Sequence, residues 1–526
     1  MSQKHICQFV TQFTISAAVF VSSAIGFQPA APTAPAAPVT AQVPAIAGPV
    51  VKTDWFAVDI AGSRAGWSKT SETSSNGTIE SESLMEFSVA RGNISITVRI
   101  GTFFAESTEG KPLRMKIYRE IAAGPVTEEY TFASDGVTIT TLTAAADGKE
   151  TKNTSKQPLP TQEWLSPAKL ARVVKDKIRA GEQKFSVVTI DPSAGLDIVT
   201  VEHEAKGKTQ VAVGDKMVDA TIWSIVTTTG SGFSFSSTEY LDPDLELLKT
   251  EVPLGGIPVT TTRTDGTVRD HKFAAPEMMV QLFVKPNMVI PSPRQLANAT
   301  YLLSVSEGEM PNLPTAGGQR FEKRDSKSGR LITSAETFVE ATEEEKKDPK
   351  FLGHSAMISK DDPMIKALAA KALNNKDTLL PRERAELLRR FAYKHISHKE
   401  LGKGFAGAAE VAKTKAGDCS EHGVLLAALL RADGIPSRVV SGLEYADEFA
   451  GEKNIFGYHM WTQAMVEFDG KMRWVDLDST LPGKVSFDAT HIAVTVTALE
   501  DGELNNSMMS LVPLLGRLQI KIEKLK

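Results

Sequence analysis

Three side chains that together could open an amide bond stand in one stretch of the chain: Cys419, His459 and Asp478. A thiolate attacks an acyl carbonyl, a histidine takes the proton and returns it to the leaving amine, and a carboxylate holds the imidazole tautomer. Cys419 stands in Gly417-Asp418-Cys419-Ser420-Glu421-His422-Gly423, directly before the apolar run Val424 to Leu430, which Gly434 and Pro436 stop. That run has no polar side, so it predicts a central, buried helix. Asp418 suits the N-cap, and Cys419 then occupies the first turn, where unpaired N–H groups and the positive end of the helix dipole face the sulfur. Such a placement favours the thiolate. It also offers backbone N–H groups to the oxyanion of a tetrahedral intermediate. The polar flank of Asp418, Ser420 and Glu421 points to an accessible helix start and away from a structural core thiol.

The histidine and the acid are linked by a hairpin. Tyr458 to Phe468 alternates as a strand, Asp469-Gly470 turns it, and Lys471 to Asp478 returns. Asp-Gly between alternating runs signals a two-residue turn. With Phe468 opposite Lys471, Gln463 falls opposite Asp476, Trp461 opposite Asp478 and His459 opposite Thr480. His459 and Asp478 are then diagonal neighbours with Cα atoms about 7–8 Å apart, within reach of a carboxylate–imidazole hydrogen bond. Asp476 is one pair further away, so the register favours Asp478, and a β-bulge would reverse the choice. His422, three residues after Cys419, has no carboxylate placed by sequence to orient it, which favours His459 as the base. A zinc site of Cys419, His422 and His459 lacks paired-ligand spacing. No calcium loop of the EF-hand type is present. The expectation is an enzyme without metal or other cofactor. His203 and His271 stand alone and fit packing or surface roles.

Taken in order, Gly417 to His422, Arg431 with Gly434-Ile435-Pro436-Ser437-Arg438, His459-Met460-Trp461, and Trp474 to Thr480 resemble the successive motifs of the transglutaminase-like superfamily. The resemblance runs from roughly Asp361 to Ile492. It implies a papain-like α+β core in which Cys419, His459 and Asp478 match the catalytic positions. The family commonly has Asp-Pro-Thr where this chain has Asp478-Ser479-Thr480, a departure that leaves the acid in place. Trp461 matches a family position beside the site, and it suits a sheet core equally. The implied activity is attack on peptide or protein amides through an acyl-enzyme on Cys419. Water as acceptor makes a peptidase or amidase, and an amine makes a protein cross-linker. Likeness to exported bacterial-type members favours hydrolysis. The alternative is a non-catalytic cell-envelope binding or docking protein that carries a papain-like module.

These residues need elements to hold them. Asp362-Pro363 starts a helix with Ile365, Leu368, Ala369 and Ala372 on one face, and a second opens at Pro381 with Leu387, Leu388 and Phe391. Arg438 to Ser441 is a strand candidate. Further upstream, residues 52–278 predict a β-rich domain, an antiparallel sheet or half-barrel. Its alternating runs, such as Asn93 to Val98 and Val137 to Thr140, are bounded by Asn76-Gly77, Asp135-Gly136 and Asp147-Gly148 turns. One helix interrupts it, with Ser166 as cap, Pro167 in the first turn and a stripe of Leu170, Val173, Val174 and Ile178. A small β region follows at 279–350, with Ala299 to Val305 its clearest strand, and 351–526 completes the catalytic domain.

The chain has 526 residues, 41% hydrophobic and 23% charged, with a net charge of -5. That composition fits soluble domains and gives no electrostatic reason to expect nucleic acid. Lys4 and His5 precede an apolar run from Phe13 to Val21, and Ala24-Ile25-Gly26 follows, a signal-peptide pattern over 1–26. The run is short of the ~20 residues that cross a membrane, and no later segment is long and apolar enough. The Pro- and Ala-rich stretch 27–51 reads as an extended linker. The expected location is therefore periplasmic or extracellular. Cleavage removes Cys7 and leaves Cys419 as the only cysteine. In an oxidising compartment a lone thiol is a liability unless it is buried or used.

Overall fold

The computed structural model describes residues 46, 50–91, 94–121, 125–144, 150–193, 195–230, 234–254, 256–374, 378–399, 406–500, 503 and 510–526. The expected signal segment, Cys7, nearly all of the linker and the Asp147-Gly148 turn lie outside the described residues. Two compact units divide the chain at Pro276 and Glu277.

The first unit is built on a single antiparallel sheet of fourteen strands. Its first eight strands meander from Lys52–Ile60 to Glu150–Gln157, and its last six from Lys184–Ile190 to Ile257–Thr264. The two meanders join where Lys52–Ile60 pairs with Ile257–Thr264. Turn chemistry explains this simple order. At Asn76-Gly77 both residues have positive φ, 51° and 75°, as a two-residue turn matching strand twist requires. The helix Pro167–Arg179 connects the two edge strands of the sheet. Ala168 and Ala171 pack in the cluster of Phe104, Ile117 and Tyr130, while Leu170, Val173, Val174 and Ile178 pack on Phe185, Val187 and Trp223. Ser166 occupies the N-cap, but its hydroxyl donates to Glu106 Oε1 at 2.7 Å and caps nothing. The buried Glu106 carboxylate instead accepts from the N–H groups of Ala168 at 2.9 Å and Lys169 at 3.1 Å. Charge on a carboxylate at a helix N-terminus is a better complement to those donors than a hydroxyl. His203 is buried with its ring stacked 4.8 Å from Phe185, and burial pushes it down to about 4, so it packs as a neutral aromatic.

The second unit holds the chemistry. Its principal sheet has four antiparallel strands in the order Lys471–Leu477, Glu452–Phe468, Ser437–Phe449, Ile492–Thr497. The hairpin turn has Asp469 at φ 51° and Gly470 at φ 72°. It sets Phe468 opposite Lys471 and Gln463 opposite Asp476, the register expected from the turn. The helix Cys419–Ala432 lies against this sheet, and every residue from Cys419 to Arg431 is buried. Leu425, Leu426, Leu429 and Leu430 have no exposed surface. Truncating any of these leucines to alanine would cost about 2–5 kcal/mol. Helices Pro363–Leu373, Pro381–His395 and Ala408–Thr414 pack around the central helix, giving an α+β core. Asp362 caps the first of them through Met364 N–H at 2.7 Å. The second buries Ala385, Leu388, Arg389 and Ala392, so its core face is displaced from Leu387 and Phe391. A second four-stranded sheet pairs Asn298–Val305 with Ser328–Ser334 and with the C-terminal strand Leu518–Leu525. No helix among the described residues is long and apolar enough to cross a membrane.

Candidate functional site

The start of the central helix is fixed by a reciprocal cap. Asp418 accepts from Ser420 N–H at 3.0 Å, and Glu421 accepts from Asp418 N–H at 2.9 Å. Glu421 also accepts from Ala406 N–H at 2.8 Å, and burial followed by the Asp418 charge pushes its carboxyl well up. Gly417 has φ 153°, and a Cβ there would lie 2.2 Å from that of Glu421, so only glycine fits before the cap. The sequence suggests an accessible helix start, and here the structure differs. Asp418, Ser420 and Glu421 are all buried, because they bond one another and a neighbouring backbone amide. Cys419 itself is 4% exposed and is a free thiol. It borders a cavity of about 270 Å³, which Arg294, Lys399, Glu444, His459 and Leu481 also line.

His459 arrives on the strand Glu452–Phe468. Its Nε2 donates to Asp478 Oδ2 at 2.8 Å, and the ring lines the same cavity as the Cys419 side chain. With Nε2 committed to the carboxylate, Nδ1 is the ring nitrogen left for sulfur. Asp478 follows directly after the strand Lys471–Leu477, close enough for the diagonal contact that the register predicts. Its Oδ1 accepts from Thr480 N–H at 2.7 Å and Thr480 Oγ1 at 2.8 Å, which leaves Oδ2 for imidazole. The loop behind it is held by Arg389, whose fully buried guanidinium donates to the carbonyls of Asp478, Leu481 and Gly483. Burial opposes charge on both partners of the His459–Asp478 pair. For His459 the carboxylates of Glu444 and Asp478 outweigh it and raise the imidazole well above its ordinary value. For Asp478 the two neighbouring histidines outweigh it and hold the carboxyl well below the usual range.

Asp476 has a separate task. It accepts from Trp461 Nε1 at 2.8 Å, Gln463 Nε2 at 2.7 Å and Gly318 N–H at 2.7 Å. It thereby anchors Trp461, whose indole stacks on the His459 ring at 6.1 Å and 17°.

One member of the site has no counterpart in the sequence argument. His491 donates from Nε2 to Asp478 Oδ2 at 3.2 Å and from Nδ1 to the Asp488 carbonyl at 3.1 Å. Both ring nitrogens face acceptors, which suits the doubly protonated form. Burial opposes it, but Asp488, Glu444 and the bonds to Asp478 and Asp488 raise it to about 9. Arg294 completes the network with ion pairs to Glu444 and to Asp488, the latter at 2.8 Å. A signal for this loop does exist. Asp488 accepts from the N–H and Oγ1 of Thr490, as Asp478 does from Thr480, so an Asp-x-Thr turn occurs at both places.

The donor atoms of Glu444, His459, Asp478 and His491 all lie within 4.8 Å of one another, a set with zinc-type ligands. Their hydrogen-bonding capacity is already used, because both Nε2 atoms donate to Asp478 and Arg294 holds Glu444. The trio considered from sequence, Cys419, His422 and His459, is not that group. His422 turns its Nε2 to Lys399 Nζ at 2.7 Å.

Residues 366–479 match the profile of the transglutaminase-like superfamily, so the chain carries a transglutaminase-like domain that includes Cys419, His459 and Asp478. No curated protein sequence matches. Among solved structures, a candidate cysteine protease from Cytophaga hutchinsonii is 14% identical and aligns over 39% of this chain and 79% of its own, with a TM-score of 0.25. A β-barrel-like domain of unknown function from Brucella abortus is 12% identical over 40% of this chain and 95% of its own, with a TM-score of 0.28. A candidate protease from Parabacteroides distasonis is 12% identical over 79% of this chain and 69% of its own, with a TM-score of 0.17.

Proposed function

We propose, for a chain that carries a transglutaminase-like domain, that it is an exported thiol hydrolase that opens amide bonds of peptides or proteins through an acyl-enzyme on Cys419. The observation that carries this reading is the bond from His459 Nε2 to Asp478 Oδ2 at 2.8 Å, with His459 and Cys419 lining one cavity. The Cys419 sulfur attacks the carbonyl carbon. Protonated His459 gives its proton to the departing amine, and the neutral ring then takes one from the water that attacks the thioester. Asp478 keeps Nε2 protonated throughout, so that Nδ1 is the working nitrogen. Trp461 covers one face of the ring and limits its rotation. Water is favoured over an amine acceptor on the likeness to exported bacterial members of the superfamily, and the N-terminal signal pattern supports export.

The test is incubation with a peptide mixture, with and without a primary diamine, and mass spectrometry of the products. Cleaved peptides that form equally with and without diamine are the expected result, and Cys419→Ala should form none. Diamine adducts in place of cleavage would reassign the enzyme to cross-linking. Full turnover by Cys419→Ala, or no labelling of the protein by an acylating thiol probe, would overturn the enzyme reading.

A further inference from the structure

Lys399 is a cation brought to the nucleophile by an unusual piece of backbone. The two-residue strand His398–Lys399 runs parallel to Ala416–Gly417 and pairs Lys399 with Gly417, two positions before Cys419. Lys399 borders the same cavity as Cys419 and His459. Its Nζ donates to Nε2 of His422, which lies one turn beyond Cys419 on the same helix and is buried. Burial, aided by the Lys399 charge, pushes His422 down to about 3, so that ring is a neutral acceptor. Among the described residues Lys399 makes no ion pair, and the imidazole that holds it contributes no negative charge. An ammonium group has three donors, so two remain after His422 is served. Burial lowers the Lys399 pKa while Asp478, Cys419 and Asp418 favour its charge, and a cation so placed beside a nucleophile is complementary to negative charge that develops during the reaction.

We propose that Lys399 is a catalytic residue whose ammonium group, together with the backbone N–H of Cys419, binds the oxyanion formed when the thiolate adds to the substrate carbonyl. The proposal rests on the acyl-enzyme reading above. In that step the sulfur forms a bond to carbon, and the carbonyl π pair moves to oxygen, where Lys399 and the helix N–H meet it. Collapse restores the C=O bond and breaks the bond to the leaving group, which takes its proton from His459. His422 serves as a positioning residue that aims Lys399 by accepting one of its three donors.

The test pairs two reagents on the intact protein. Acylation by p-nitrophenyl acetate passes through an oxyanion, while alkylation by iodoacetamide displaces iodide and forms none. Lys399→Met should slow the p-nitrophenolate burst about 10²-fold, the usual effect of losing one oxyanion donor. Alkylation, which senses Lys399 only through its charge near the thiolate, should slow far less than the burst, the melting temperature should hold, and Lys399→Arg should restore part of the burst. Equal loss in both reactions would make Lys399 a partner of the thiolate or of the fold, and no loss in either would give it no role, so both results overturn the proposal. Cys419→Ala separates the two claims. If it keeps the wild-type burst the acyl-enzyme itself is wrong, whereas a burst lost in Cys419→Ala and kept in Lys399→Met removes only the Lys399 assignment.

Discussion

Asp476 and Asp478 stand two residues apart, are both buried, and are held in opposite ways. Asp478 meets two histidines, whereas Asp476 meets three neutral donors, and burial pushes its carboxyl up. Asp478→Asn should therefore lower kcat about 10³-fold or more through the wrong imidazole tautomer, with little change in KM. Asp476→Asn should mainly cost stability, about 1–3 kcal/mol, because an amide NH₂ must face a backbone N–H or an indole N–H. Steady-state kinetics beside thermal melting separates the two, and a larger kinetic loss in Asp476→Asn would contradict the assignment. His491 yields a prediction with a sign. Its partners are Asp478, Asp488 and Glu444, with Arg294 facing the last two. It is raised from its ordinary 6.5 to about 9, so between those values the folded chain binds more protons than the unfolded one. Its contribution is complete below about pH 6.5 and falls away as pH rises through about 9, by roughly 3 kcal/mol in all. In urea titrations across that window His491→Gln should flatten the decline, and an unchanged slope would place the protons elsewhere. Asp478 was legible in the sequence because a two-residue turn counts register without help. His491 was not, because nothing in its local pattern says that the loop returns to Asp478.

At the scale of elements, the features that survive from sequence to structure are those set locally. The Asp469-Gly470 hairpin, the Asp362 cap and the uniformly apolar helix after Cys419 depend on neighbours along the chain. Three others depend on partners far away. Glu106 replaces Ser166 as a cap from sixty-two residues before Ala168. Lys399 reaches Gly417 through a strand too short to show alternation. Arg389 takes a core position on Pro381–His395, where the apolar stripe suggested Leu387. The reason is visible in its bonds, since it pairs with Glu386 and closes three carbonyls of the loop that carries Asp478. Arg389→Leu should destabilise the second unit by about 3–5 kcal/mol, because Glu386 keeps only Arg390 and the buried carbonyls lose their donor. Arg389→Lys should recover little, since an ammonium cannot span the same fork of acceptors. Near-wild-type melting of Arg389→Leu would show that water or a rearranged loop satisfies those groups.

At the scale of the whole molecule, two units with separate cores make a claim about cooperativity. The first buries Phe104, Ile117 and Tyr130 between sheet and helix, and the second buries the leucines of the central helix. The β-rich character of the first was legible because antiparallel strands with tight turns alternate along the sequence. That all fourteen strands make one sheet was not, because a turn fixes only its own two strands and leaves the pairing of Lys52–Ile60 with Ile257–Thr264 undetermined. A unit with its own core unfolds as its own cooperative block. Calorimetry should accordingly resolve two transitions. Phe104→Ala, at a side chain 1% exposed, should cost about 3–5 kcal/mol and lower one transition only. Arg389→Leu should lower the other. Below both transitions, Phe104→Ala should leave iodoacetamide labelling of Cys419 at the wild-type rate, because the thiol and its partners all lie in the second unit. If either substitution moves both transitions together, or if Phe104→Ala changes the labelling rate, the chain folds as one cooperative body, and the chemistry at Cys419 then depends on the β-rich unit for its stability.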